Sequence, residues 1–302
     1  MKTIPILAAL CAAVMALPSP SLAGETKTYP LKLNRPFKAG QKTHDRFKAV
    51  MSKSQRVSQG EKVFKEEATA IRAELSGVTE VREVTPGSKV RRLTFKVEKF
   101  TLTAGTAAEV QPFKPGTIIE ATGVEDRKKK FEVDGKEVTG PAAEALKEFF
   151  SLSGPGKKET DDEAVYGSAE PRAPGSEWDI NGKSLLETLT DAPFVLTEKE
   201  VSGTVKFTGV REQAGVPCCE LKMEVTMNPS SFKGMPEGFK LSKVDIKSSG
   251  VRMVPVAATG IIPAETLEQR VDFTGTFPTG DGPVNLEFTN RSSKERISRP
   301  VK

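Results

Sequence analysis

From about residue 40 onward, apolar and polar side chains alternate along the sequence in runs too long to be chance. Alternation places one set of side chains on each face of a strand, so the chain reads as mostly β. In Cys219-Glu-Leu-Lys-Met-Glu-Val-Thr-Met227, residues Cys219, Leu221, Met223, Val225 and Met227 share one face, while Glu220, Lys222, Glu224 and Thr226 share the other. Val201, Gly203, Val205, Phe207 and Gly209 alternate likewise, and Gln213-Ala-Gly215 between the two runs predicts a turn, so 201–227 is expected to be a hairpin. Leu267, Val271, Phe273, Gly275 and Phe277 predict a second one, joined to Val284, Leu286 and Phe288 through Thr279-Gly-Asp-Gly-Pro283. The first half has the same texture at Phe47, Ala49 and Met51, at Ile71, Ala73 and Leu75, at Leu93, Phe95 and Val97, at Ile119 and Ala121, and at Phe131 and Val133.

Two slips of phase interrupt this pattern. After Val97 the apolar positions move to Phe100 and Leu102, and after Phe239 and Leu241 they move to Val244 and Ile246. A one-residue slip predicts a β-bulge, which bends a strand and helps a sheet to curl. Helical spacing occurs twice: Gly140 to Leu152 has a proline at its start and Leu146, Phe149 and Phe150 on one face, and Lys183 to Leu189 brings Leu185, Leu186 and Leu189 together. The predicted fold is mainly β, with two antiparallel, curved lobes of half-barrel or sandwich-like form and one or two short helices. The polar stretch Ser153–Glu163 supplies the boundary, giving a first lobe over 24–139, a helix and linker over 140–164, a second lobe over 165–289 and a basic tail over 290–302. Phe37-Lys-Ala-Gly40 and Arg172-Ala-Pro-Gly175 at the start of each half leave an internal duplication open.

The residues before the first lobe have a different character. Lys2, the apolar run Ile4–Leu17 and the small residues ending at Ala23 form the three parts of a cleavable export signal, so the mature chain is expected to begin near Gly24 in a secreted or periplasmic setting. Cys11 is not expected to carry a lipid, because Leu10 stands where such sites need a small residue. The run is also shorter than a membrane span requires, and no later segment approaches that length without charges. Signal removal leaves 279 of 302 residues with 44 basic and 40 acidic side chains. The tail from Asn290 to Lys302 holds five basic residues and one acidic, so the body is formally neutral and a nucleic-acid partner is not expected. An anionic surface could instead be met by that tail. Cys218 and Cys219 are the cysteines left, and their opposite facing on a strand argues against a bond between them.

Candidate chemistry is sparse. Asn181-Gly-Lys-Ser184 ends like a phosphate-binding loop, but Glu177 occupies the position that needs the first glycine, so the string is expected to cap a helix. His44 is the only histidine, which excludes multi-histidine metal sites, and Asp45 should face away from it; there is no Gly-x-Ser-x-Gly elbow either. Glu159, Asp161, Asp162 and Glu163 lack calcium-loop spacing and read as a solvated linker. Arg127-Lys-Lys-Lys130 reads as a charged edge, with contact to anionic lipid or an acidic polymer as the alternative. A single Trp and two Tyr do not support a carbohydrate surface. No cofactor is called for.

The stretches Thr160-Asp-Asp-Glu-Ala-Val-Tyr-Gly167, Pro171-Arg-Ala-Pro-Gly-Ser-Glu-Trp178 and Val201-Ser-Gly-Thr-Val-Lys-Phe207 resemble a pattern in uncharacterised secreted bacterial β-rich proteins. The resemblance implies export and a β-rich fold, and carries no site across. Long strands with few helices are also similar, in architecture alone, to the half-barrels of periplasmic lipoprotein carriers. The first expectation is a non-catalytic module that shelters a lipid-like apolar ligand against Phe95, Phe100, Phe207 and Phe273, positions that are otherwise ordinary core. A structural or interaction protein of the cell envelope is the alternative, and an enzyme the third.

Overall fold

The computed structural model describes residues 27–124, 128–155, 161–189, 192, 194–235, 238–257 and 260–301; the predicted export signal lies outside them. The order is β1 (Lys42–Gln59), β2 (Lys62–Val84), β3 (Val90–Ala104), β4 (Ile118–Gly123), β5 (Lys129–Val133), β6 (Lys136–Glu137), α1 (Gly140–Phe149), α2 (Asp162–Tyr166), β7 (Glu177–Asp179), α3 (Gly182–Thr188), β8 (Phe194–Val195), a 3₁₀ turn at Glu198–Glu200, β9 (Val201–Gln213), β10 (Val216–Met227), β11 (Ser231–Phe232), β12 (Lys240–Pro255), β13 (Ala264–Thr279) and β14 (Gly282–Pro300). The chain is mainly β, as its alternation predicts.

Twelve of these strands form one open antiparallel sheet in the order β6-β5-β4-β3-β2-β1-β14-β13-β12-β10-β9-β7, and β8 pairs with β11 beside it. The chain runs outward from the centre to one edge, crosses to the other edge and returns to the centre. The two expected lobes are therefore the two wings of a single sheet, joined where β1 pairs with β14 from Thr43↔Pro300 to Ser58↔Asn285. This corrects the reading of 290–302 as a loose basic tail: the 289/290 boundary falls inside β14, a central strand. It also sets apart the two glycine-marked starts, since Gly40 leads into the central β1 and Gly175 precedes β7 at the edge.

Both predicted bulges are present. Ser76 pairs with Lys99 and Gly77 with Val97, so Glu98 is the extra residue; Leu241 pairs with Gly275 and Lys243 with Thr274, so Ser242 is extra. At the first bulge the glycine is needed, because a Cβ on Gly77 would collide with the Lys96 carbonyl oxygen. Both predicted hairpins form: the 201–227 turn uses positive φ at Ala214–Gly215, the left-handed pair that matches strand twist, and the second turn has Gly282 at positive φ; the β5–β6 turn uses the same left-handed pair at Asp134–Gly135.

One face of the sheet carries both apolar cores. On the first wing, Phe47, Leu75, Phe95, Phe100, Ile119 and Phe131 lie beneath α1, which contributes Leu146 and Phe149, followed by Phe150. On the second wing, Val205, Phe207, Leu221, Val225 and Val254 are covered by Val165 of α2, Leu185 of α3 and the N-terminal residues Leu31 and Leu33. We call this the inner face. The outer face is a lattice of exposed ion pairs, including Lys48–Glu74, Arg92–Glu120 and Lys206–Glu177. Such pairs solubilise the face and add little stability singly.

Helices α1 and α3 sit where their spacing predicts, whereas α2 falls where the sequence predicts a polar linker. α1 belongs to the first wing rather than to a linker, and Asn181 caps α3 by accepting from the Ser184 N–H at 3.0 Å. The acidic stretch is not a solvated linker over its described part. Asp161 caps α2 and accepts from the Asn34 amide at 2.7 Å, Glu163 pairs with Lys32 at 2.8 Å, and Asp162 pairs with Arg252 at 2.8 Å. Glu159 lies outside the described residues, as does Arg127. Those contacts fasten an N-terminal segment, residues 29–38, across the inner side of the sheet: Tyr29 bridges Arg172 while Phe37 packs against the first core.

Candidate functional site

The four phenylalanines expected to form a ligand face do not come together. Phe95 and Phe100 lie in the first core, where Phe95 meets Phe150 at 5.4 Å and Phe100 meets Phe149 at 6.4 Å. Phe207 lies in the second core against Tyr29, and Phe273 stacks between Phe232 at 4.8 Å and Phe288 at 4.9 Å. All four are buried. Their rings are engaged in packing: against α1 and Phe150 on the first wing, against Tyr29 on the second, and against Phe232 and Phe288 at Phe273.

Between the wings, the inner face carries a row of alternating charges in consecutive strands. Arg252 of β12 is in register with Glu265 of β13, which is in register with Arg296 of β14, which is in register with Phe47 of β1. Asp162 joins Arg252 at one end, and at the other Arg296 lies 3.6 Å from Asp45 with its guanidinium over the Phe47 ring. Asp45 is fully buried and accepts hydrogen bonds from the hydroxyls of Thr43, Thr79 and Ser298. Burial alone would lower the Arg252 pKa, but Asp162 and Glu265 outweigh it and raise it. Burial would likewise raise Glu265, and Arg252, Arg296 and Lys294 outweigh that and hold the carboxyl below its usual range. A buried charge persists only when paired, so the row acts as a tie between the wings.

Beyond this row the inner face of the central strands is less well covered. Met51, Ile71, Leu267, Val271, Leu286 and Phe288 keep the inward phase of the cores but are only partly buried. Register places Met51 beside Ile71 and Ser292, and Val271 beside Asn290. The result is a shelf on which apolar side chains stand among neutral polar ones, with Lys294 of β14 beside Leu267 at its upper end. Lys53 rises from it, exposed, with its ammonium 5.5 Å from the centre of the Phe288 ring. A separate open groove of about 430 Å³ lies at the first wing's edge, between Pro112–Phe113, the β5–β6 hairpin and Ala142 of α1.

The remaining candidates resolve simply. His44 is exposed and its Nε2 lies 2.7 Å from Glu98, while Asp45 points to the opposite face as the alternation predicts. Lys129 and Lys130 lie on β5, one strand from the edge, and the Lys130–Glu132 pair at 2.8 Å keeps Lys130 a solvated surface charge. Both cysteines are free, and both are buried, so Cys218 does not face solvent as its phase suggests. Burial pushes both thiols up, Cys219 to about 11, so neither is a thiolate near neutrality. No group of three or more potential metal ligands occurs among the described residues.

Of the shelf and the charge row, alternation alone picks out Met51, Ile71, Leu267, Val271, Leu286 and Phe288, and only as core. Arg252, Glu265 and Arg296 carry no sequence signal, because their meaning lies in strand register. Among the described residues no helix is long and apolar enough to cross a membrane. No family model matches the sequence, and no curated protein matches it. The chain is similar to a solved structure titled "Lipid-protein interactions in lipovitellin", with 10% identity and a TM-score of 0.35 over 88% of this chain and 26% of that one. This chain thus spans about a quarter of that chain's length, and at that TM-score the likeness carries no inference about function.

Proposed function

We propose that this is an exported, non-catalytic protein that binds an apolar, chain-like ligand along the shelf of its inner face. The observation that supports the reading is the continuation of the inward apolar phase past both covered cores, onto central strands where Met51, Ile71, Leu267 and Val271 remain partly exposed. Apolar area left accessible on a sheet face is stabilised by an apolar partner at roughly 25 cal/mol per Å² buried. The ligand position moves from the four phenylalanines to this shelf, because those rings are consumed by packing. Contact with anionic partners through a free tail loses its basis, since Arg291 to Arg299 lie within β14.

Titration with a fluorescent polyene fatty acid tests the reading. Saturable binding is expected, with a rise in Tm that corresponds to about 2.7 kcal/mol at a hundredfold excess over Kd. Met51→Glu with Leu267→Glu should abolish it while the fold persists by circular dichroism. Absence of saturable binding, or binding untouched by those substitutions, would overturn the assignment. Export is tested separately, by the N-terminal sequence of protein recovered outside the cytoplasm, which should begin near Gly24.

A further inference from the structure

We infer that the ligand is an anionic amphiphile, its charged head held at Lys53 and its chain lying over the adjoining apolar positions. This rests on the shelf reading above and adds the chemical class. Lys53 lies in the middle of β1, with Asn290 of β14 directly opposite on one side and Thr69 of β2 on the other. Its same-face neighbours along β1 are Met51 and Gln55, since alternate residues share a face. All four are uncharged. The nearest carboxylate by register is Glu67, opposite Gln55, and it is engaged by Lys65 at 3.1 Å. Further up the inner face, Asp162 pairs with Arg252, Arg252 with Glu265, and Arg296 with Asp45, while Lys294, opposite Ala49 and Leu267, is a second inward cation that adds to the positive field.

Lys53 is therefore a cation within a ring of hydrogen-bonding side chains, with apolar surface on both sides. Phe288 lies below its ammonium, and Met51 and Ile71 form the margin of the first core above it. A carboxylate or phosphate head would take a charge-assisted hydrogen bond from Lys53 and neutral ones from the Asn290 and Thr69 side chains. A chain attached to that head has an apolar path across Met51 and Ile71 toward the core margin. A neutral ligand would offer the ammonium no counter-charge in place of the water it displaces, and a cationic one would be repelled. Charge complementarity thus selects the anion.

Three twelve-carbon probes of equal chain length, each below its micelle concentration, test the inference: laurate, methyl laurate and dodecyltrimethylammonium. Isothermal titration should rank laurate tightest, about tenfold above methyl laurate, with the cation weakest. Lys53→Gln should remove the laurate advantage and leave methyl laurate unchanged, and the laurate affinity of the unaltered protein should fall with added salt. Equal affinity for laurate and its methyl ester, or an advantage that survives Lys53→Gln, would overturn the head-group assignment while leaving the shelf intact. Failure of all three probes to bind would instead sink the shelf reading itself. Dodecyl phosphate, run in parallel, tells a phosphate head from a carboxylate one.

Discussion

The two cores share one sheet face yet are built in different ways. The first is aromatic and local: Phe47, Phe95, Phe100 and Phe131 come from the meander β1–β5, and the helix that follows it supplies Phe149 and then Phe150. The second is mostly aliphatic, with Phe207 its one buried aromatic, and is assembled from distant pieces: Leu31 and Leu33 from one end of the chain, Val165 and Leu185 from the middle, and the strand residues Val205 to Val254. A cover that follows its strands directly in sequence needs only a short connection, whereas a distant one needs specific fastenings. Here those are Asn34 to Asp161, Lys32 to Glu163, and the Arg35 guanidinium on the carbonyls of Pro255 and Ala257. The first core should thus resist loss by packing density, and the second by polar ties.

The largest expected effect tests the aromatic core. Phe150 is buried with Phe47 at 5.3 Å and Phe95 at 5.4 Å, so Phe150→Ala should cost about 3–5 kcal/mol in urea unfolding. Because one sheet joins the wings, Trp178 fluorescence on the second wing and far-ultraviolet circular dichroism should shift together. Separate midpoints would show that the wings melt independently and would break the comparison at its root.

A smaller effect tests the fastened cover. Leu33 is buried, and Leu33→Ala should cost about 2 kcal/mol, at the low end for a buried leucine because an extended segment can readjust. Hydrogen exchange should quicken over residues 29–38 and leave α1 unaltered. Equal quickening in both would mean that the two covers are energetically one.

The smallest effect is that of acid. Hydrogen bonds from the Asn34 side chain, then from the backbone N–H groups of Ala164 and Glu163, hold Asp161 below its ordinary 3.8. A carboxyl depressed in the folded state contributes stability that is present above the ordinary pKa and is lost as pH falls through the folded value. Exchange protection at residues 29–38 should therefore weaken below about pH 4, before that of α1, and Asp161→Asn should remove much of this difference. Loss of protection in α1 first would reverse the assignment of roles.

Much of this fold is legible as alternation, and the legible parts are those whose physics is local. The slips after Val97 and Leu241 become bulges at Glu98 and Ser242, Leu146 and Phe149 define α1, and Asn181 caps α3. The illegible parts depend on register between distant strands. From Asn290 to Arg296, β14 carries polar residues on both faces, because its inward positions meet the open shelf and the charge row instead of a core. Without an apolar face that strand reads as a tail. For the same reason Asp45 looks like a surface residue next to a histidine, although three hydroxyls close around it.

The pairing of β1 with β14 has a consequence for how the molecule comes together. The middle of the sheet joins residues 43–58 to residues 285–300, so each wing can begin to form from nearby segments, but the seam must wait for a closure more than two hundred residues long. Closing so long a loop is slow, and until it happens β1 and β13 both present open edges in the heart of the future sheet. A nascent chain released before β14 is complete would hold two partly formed wings with nothing to zip them. Its natural substitute for β14 would be a strand from another molecule, which makes timely synthesis of residues 282–300 the main guard against aggregation.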